Sequence, residues 1–365
     1  MKTEHLAVTL LSPCFLGDAN QSGAWRTPPF KALLREWWRI AAAPAHAYEH
    51  RALRPVEGDL FGNAWLEPVG GVSRFRQSRV RLALKHWKDG QMTSLGDDPK
   101  VKHPNVNIPV GSQLYLGYGP LTFDKASKKS VLKANAALQA NEANILSLAW
   151  PDTETSIPHT LQLIDWFGTI GGRSRNGWGS LTLLPSPHRG GEAGGEGDWQ
   201  PQRLTHAHPQ LAAVVRELRE CLRLDWPHAI GKDETGPLIW ESAEAFDKWQ
   251  DAMKFLARTK IGFRTHLKFN GGQPHPQPQE RHVLAYPVTN HSVQGWSRDA
   301  RLANQLRFKL FRDEAKLRAR IYHTPHQSPL AMERLNQAAQ FAVWQNIHGW
   351  LDEKTHGLQR LGART

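Results

Sequence analysis

The sequence predicts an α+β chain in two parts, and three observations carry that reading. Residues 28–43 repeat apolar side chains at helical spacing. Residues 78–84, 305–311 and 317–323 alternate apolar and basic side chains with the period of a strand. A stretch dominated by Gly and Pro, Pro185–Asp198, splits the 365 residues into two comparable halves. The division follows as a module over 1–184, a linker or long loop over 185–201, and a second module over 202–365.

The first element is the strand 5–11, which opens the chain without a basic leader or a small-residue cleavage site. A loop leads to the helix 28–43, with Thr27 placed to cap it and Pro28 at the first helical position. Phe30, Leu33, Leu34, Trp37 and Ala41 form its buried stripe. Lys31, Arg35 and Arg39 recur every four residues and line up as a cationic ridge on another face. In the strand 78–84, Val80, Leu82 and Leu84 face one way and Arg79 and Arg81 the other. Residues 112–118 read as a strand, 134–148 and 158–169 as helices, and 180–184 as a closing strand.

The second part reads as amphipathic helices near 207–223 and 242–258, strands at 282–287, 305–311 and 317–323, and a helix over 333–351. In the paired strands, Leu306, Phe308 and Leu310 face Leu317, Ala319 and Ile321. Arg307, Lys309, Arg318 and Arg320 share the opposite side. A sheet with one apolar and one cationic face suits nucleic acid, and equally a merely solvated surface.

Charge points the same way. Lys and Arg total 46 against 34 Asp and Glu, a formal net charge of +12. The excess is concentrated: residues 21–90 hold 12 basic and 6 acidic side chains, and residues 301–322 hold 7 and 2. Residues 134–172 hold four acids and no Lys or Arg. Clustered positive charge is the footprint of a phosphate-tracking surface. No window is apolar enough to span a membrane. Cys14 and Cys221 are too far apart in sequence and too few for a thiolate zinc site or a disulfide framework. Neither zinc nor any other cofactor is expected.

The segment Gly168–Ser180 places five glycines in thirteen residues. Gly171, Gly172 and Gly177 let backbone amides turn toward a ligand, Arg173 and Arg175 supply charge-assisted hydrogen bonds, and Trp178 offers a ring on which a base could stack. A glycine-rich turn with a core tryptophan is the alternative. The Gly-Lys-Ser/Thr ending of a nucleotide-triphosphate loop is absent.

Taken together, Gly171-Gly-Arg-Ser-Arg-Asn176-Gly-Trp-Gly-Ser-Leu181, Thr27-Pro-Pro-Phe-Lys-Ala-Leu-Leu-Arg-Glu-Trp-Trp-Arg39 and Asp59-Leu-Phe-Gly62 resemble, in family order, the markers of the RAMP superfamily of CRISPR-associated proteins. The Trp-Trp-Arg helix resembles the first-numbered subunit of the type III-B Cmr complex. Ala32 stands where the family often has Gly. The resemblance implies tandem ferredoxin-like (RRM-type) modules with helical insertions. It also implies a cytoplasmic, non-catalytic subunit that contacts CRISPR guide RNA, its complementary target RNA and other RAMP-family subunits, with no membrane. Lys31, Arg35, Arg39, Arg173 and Arg175 fall on basic positions of those motifs. Arg74, Arg76, Arg79 and Arg81 rest on local charge alone.

Two catalytic alternatives stay open. Asp18, in the loop after the first strand, could serve a metal-dependent target-RNA nuclease, although its surroundings suit a turn-capping Asx residue. A histidine general base could serve guide processing. His46 and His50 are four apart, but Pro44 interrupts any shared helix. His275, His282, His323 and His326 read as loop residues, exposed to solvent or adjacent to RNA. An RNA binder outside any CRISPR assembly is a third reading.

Overall fold

The computed structural model describes residues 1–18, 22–64, 75–133, 137–186, 199–329, 332 and 335–362. The chain forms two compact units that interleave in sequence rather than dividing at the Gly/Pro stretch. The first comprises Met1–Leu95, Val131–Ser174 and Trp178–Leu204; the second comprises Gly96–Ser130, Arg175–Gly177 and Thr205–Thr365. Residues 187–198 of that stretch lie outside the described residues, as does Arg74.

The first unit runs β1 (Lys2–Leu10), α1 (Thr27–Ala42), α2 (His50–Phe61), β2 (Arg81–Leu84), β3 (Ala143–Trp150), α3 (Ile157–Phe167) and β4 (Leu181–Pro185). The strands form one antiparallel sheet in the order β2-β3-β1-β4. Leu6, Val8 and Leu10 of β1 and Leu146 and Leu148 of β3 are buried at alternate positions, as a half-buried strand requires. Phe30, Leu33 and Leu34 of α1 and Leu161 and Ile164 of α3 meet Leu146, Leu148, Leu181 and Leu183 in this core. The other face carries Ala7, Thr9, Ile145, Ser147 and Ala149, with His5 hydrogen-bonded to Ser147 at 2.9 Å.

In the second unit, β5 (Ile239–Ser242), α4 (Trp249–His266), β6 (Leu306–Asp313), β7 (Lys316–His323), α5 (Gln337–Asp352) and β8 (Leu358–Arg360) follow one another. Their sheet order is β6-β7-β5-β8, again antiparallel. With α2 and the short helix Glu280–Leu284 set aside as additions, each unit repeats the same strand-helix-strand-strand-helix-strand succession with the same strand neighbours. Phe263 of α4 packs edge-on to Phe308 of β6 at 6.4 Å. Trp240 of β5 donates from its indole nitrogen to Asp352 at 2.7 Å, tying the sheet to the end of α5.

Several elements differ from the sequence reading. Residues 143–150 are the strand β3, not part of a helix, because alternate burial and a partner on each side outweigh the Ala-rich approach to them. Residues 112–117 are a helix: the Asp98 carboxylate accepts from the amides of Gln113 at 2.8 Å and Leu114 at 3.3 Å, caring for its orphan donors from a distance in sequence. Residues 280–284 form a short helix rather than a strand. The stretch 207–223 holds two four-residue helices around the strand Val215–Glu217. The helix placed at 242–258 is α4, displaced toward the C-terminus. Arg26, not Thr27, is the N-cap of α1, and it makes no side-chain cap hydrogen bond.

Candidate nucleic-acid interface

Two faces of α1 have different destinations. Phe30, Leu33, Leu34 and Trp37 are buried as the spacing predicts, and Trp38 and Ile40 are buried as well. Trp38 meets Phe61 of α2 edge-on at 5.6 Å, so α2 covers a second side of α1. Between the helices lies Glu57, 6% exposed. Arg35 donates from Nε to its carboxylate at 2.7 Å, and Arg39 donates through two nitrogens at 2.7 and 2.6 Å. Burial pushes the Glu57 carboxyl up, but hydrogen bonds from Arg39 and Arg35 outweigh it and hold it below its usual value.

Around this fork opens a pocket of about 600 Å³ lined by Lys31, Arg35, Arg39, His50, Arg54, Glu57 and Arg76, among others. Five basic side chains thus line the pocket around one buried carboxylate, and Arg76 also pairs with the exposed Asp59 at 3.4 Å. Partial burial, then the neighbouring Arg35, pull the Lys31 ammonium below its ordinary value, as concentrated positive charge does. Arg76 reaches the pocket because the chain turns sharply after α2. Gly62 holds φ +81°, and a Cβ there would stand 2.8 Å from the Ser78 amide. Asn63 and Arg76 exchange backbone hydrogen bonds at 3.0 and 3.1 Å, and the amides of Arg79 and Val80 donate to the Leu60 carbonyl. The Leu60-Phe61-Gly62 element is therefore a structural clasp. Arg79 and Arg81 are exposed on the segment that follows.

The glycine-rich loop is built differently from the phosphate cradle its composition suggests. The amides of Gly172 and Gly179 donate at 2.9 Å to the carbonyls of Phe15 and Pro13. Gly171, Gly177 and Gly179 hold positive φ, and Gly172 does not. Trp178 is fully buried beside Phe15, with ring centroids 4.8 Å apart. It offers no face to a base, which corrects the stacking role expected of it. Asn176 spends both ends of its amide within the second unit: it donates to the Leu116 carbonyl at 2.7 Å and accepts from Lys260 at 2.6 Å. Arg173 is exposed and Arg175 half-buried.

The β6–β7 hairpin keeps the expected partition, since Phe308 pairs with Ile321, Leu310 with Ala319 and Lys309 with Arg320. Its cationic side is not a surface, however. Arg307, Lys309 and Arg320 are 5%, 0% and 4% exposed. Arg320 pairs with Glu241 at 2.6 Å and lies 4.1 Å over the Phe311 ring. Arg318 binds Asp313 at 2.7 Å and the carbonyls of Ser242 and Ala243. Arg307 and Lys309 also have partners. A period of two fixes which side chains share a face, and says nothing about what covers it. Arg320→Ala is expected to cost about 3 kcal/mol of stability by stranding Glu241. RNA affinity of the folded protein should stay unchanged, as urea unfolding and RNA titration on one preparation would show.

No family model and no curated protein matches the sequence. Solved structures do. One is Cmr1 from Pyrococcus furiosus, in apo form, at 12% identity over 90% of each chain with a TM-score of 0.41. Two others are type III-B Cmr-beta structures. The one bound to cognate target RNA matches at 12% identity over 93% of this chain and 99% of the other, TM-score 0.47. The one bound to cognate target RNA and AMPPnP in the presence of ssDNA matches at 10% identity over 94% and 99%, TM-score 0.43. They belong to the Cmr group that the Trp-Trp-Arg helix resembles. At TM-scores below 0.5 they carry no argument about residues or ligands.

The Cmr-like motifs leave the histidines unassigned, and here the structure overturns the expectation of exposure. His275, His282 and His323 are fully buried, and His326 is half-buried. His275 bonds His291 at 2.9 Å, and His323 bonds His348 at 3.0 Å. Burial is the leading cause that lowers His348 to about 3 and His228 to about 4, and that holds His323 well below 6.5. These groups stay neutral in the native state while the unfolded chain protonates near pH 6.5, so acid favours unfolding. Stability is expected to fall as pH drops from about 6.5 toward 4, by up to about 1.4 kcal/mol per pH unit for each such histidine. Urea midpoints at pH 7.5, 6.5, 5.5 and 4.5 would show it, and His228→Asn should flatten the slope.

His46 ends a short 3-10 helix and His50 begins α2, so they share no helix face. Asp18 accepts from the Ser22 amide at 2.8 Å, a local backbone contact four residues on. The Cys14 thiol, buried and donating to the Ile170 carbonyl, is pushed up by burial, then by Glu142. Among the described residues, no helix is long and apolar enough to cross a membrane. Sequence reading missed Arg54, His50 and Glu57. Their spacing of four and three along α2 was the available signal.

Proposed function

We propose that this chain is an RNA-binding structural subunit of a type III-B CRISPR effector ribonucleoprotein, made of two ferredoxin-like modules. The repeated βαββαβ succession and the identical strand neighbours of the two sheets support the second half of that statement. The carrying observation for the first half is the α1–α2 pocket, which Lys31, Arg35, Arg39, Arg54 and Arg76 line around a single buried carboxylate. Arg79 and Arg81, exposed on the segment that follows Arg76, extend the basic track.

The strands of the first sheet place no Phe, Tyr or Trp on their half-exposed face. The one ring on that face is His5, held by Ser147, and no Phe, Tyr or Trp joins it to make a stacking platform of the RRM kind, so phosphate contacts from the helices carry the reading. Such contacts bind RNA with little sequence preference and with steep salt dependence. In the complex, guide RNA, complementary target RNA and neighbouring RAMP-family subunits are the partners, and the chain itself contributes no catalytic group. Titrating labelled single-stranded RNA at increasing salt tests this; a flat salt response would sink it. Loss of one target-cleavage product in an assembled complex carrying Asp18→Ala would favour the nuclease reading instead.

A further inference from the structure

The second unit gathers another cationic cluster, which no sequence motif announces. His103 closes the strand Lys100–His103, Tyr115 lies on the helix Ser112–Gly117, Arg264 stands in the last turn of α4, and Arg281 sits on the helix Glu280–Leu284. The His103 and Tyr115 rings are 6.0 Å apart, and the Arg281 guanidinium is 5.2 Å from the Phe269 ring. The helix Ser112–Gly117 and the strand Lys100–His103 both pack on α4, which carries Arg264. Burial, then Arg264, holds Arg281 below its ordinary value, with Tyr115 acting in the opposite sense. Burial, then Arg281 and Arg264, does the same to His103.

Among the described residues, no carboxylate pairs with Arg264 or Arg281. Arg281 is 9% exposed. The Nε atoms of Arg264 and Arg281 are both buried without a hydrogen-bond partner. Arg320 and Arg360, equally buried in the same unit, are treated differently: Arg320 pairs with Glu241, and Arg360 pairs with Asp233 at 2.6 Å and Asp352 at 3.1 Å. A buried guanidinium without a counter-ion is costly, and two together repel. An anion arriving from outside would relieve both.

We propose that Arg264 and Arg281, with His103 and Tyr115, form a binding site for a phosphate group. Guanidinium forks match phosphate oxygens in pairs, and the imidazole and phenol hydroxyl are further donors. Arg264, His103 and Tyr115 are each partly exposed, so the cluster is reachable from solvent. The phosphate belongs either to a nucleic-acid chain or to a free small anion. This site lies in the other unit from the α1–α2 pocket and does not rest on the function proposed above.

The test uses the full chain carrying Lys31→Gln and Arg54→Gln, which weakens the first pocket, with inorganic phosphate as probe at constant ionic strength. Phosphate in about tenfold excess over its Kd is expected to raise Tm by about 2–4 °C relative to chloride. Arg281→Gln, and separately Arg264→Gln, should abolish that rise while leaving the phosphate-free Tm unchanged or higher. A rise that persists in both variants, or is absent from the parent, overturns the proposal. Arg264→Gln, the half-exposed member, covers the case in which Arg281→Gln fails to fold. Single-stranded RNA then separates the sources: competition with phosphate through Arg281 identifies nucleic acid, and no competition identifies a free oxyanion.

Discussion

Charge reversal at Lys31 and Arg54 is expected to weaken single-stranded RNA binding on the order of a hundredfold at low salt. Each replaced cation forfeits a charge-assisted contact worth roughly 1.5–3 kcal/mol and sets a repulsive charge in its place, with solvent screening reducing the total. The log–log salt slope should shrink by about two, one for each lost phosphate contact. Both residues lie outside the Arg35–Glu57–Arg39 fork, so the helices keep their tie. Lys31→Glu even gains a helical neighbour of opposite sign in Arg35, four residues on. RNA affinity and melting temperature measured together decide the matter. Unchanged affinity with a lowered Tm would make the pocket a structural feature.

A stability loss as large as that of Arg320→Ala is expected from Gly179→Ala. Gly179 holds φ +65°, and a Cβ there would stand 1.9 Å from the Ile170 carbonyl oxygen, a backbone atom that itself accepts the Cys14 thiol. The left-handed conformation alone costs about 1 kcal/mol for alanine, and overpacking against fixed backbone adds about 2 kcal/mol or more. A total near 3 kcal/mol in urea unfolding is the expectation. Gly96→Ala is the control, with a similar φ of +72° and nothing within 4 Å of the added carbon; it should cost only about 1 kcal/mol. Equal losses at the two positions would show that the backbone contact at Gly179 relaxes.

How much of this was legible depends on what kind of signal each element leaves. The α1 stripe was legible because sixteen residues of helix repeat their pattern several times. The β6–β7 register was legible because eight-residue strands alternate cleanly. β5 and β8, with four and three residues, are too short to show any period, yet they complete the second sheet. The basic ridge of α1 was found, but its carboxylate was not, since Glu57 meets Arg35 and Arg39 only once α2 folds back. Trp178 and the hairpin cations failed for one shared reason. Residue type suggests what a side chain could bind, whereas burial is decided by elements far away in sequence.

The interleaving of the two units has a consequence for how the chain is made. Leu116 and Val101, fully or nearly fully buried, belong to elements that pack on α4, which follows them by about 130 residues. At a ribosomal pace of about 5–20 residues per second, those apolar side chains wait roughly 7–26 s before their partner exists. During that interval the 96–130 segment is a nascent chain with an unfinished core, a natural client for chaperones. A fragment ending at the Gly/Pro stretch would carry the same exposed surface permanently. Such a fragment should aggregate on expression, whereas one that retains residues 205–365 should not.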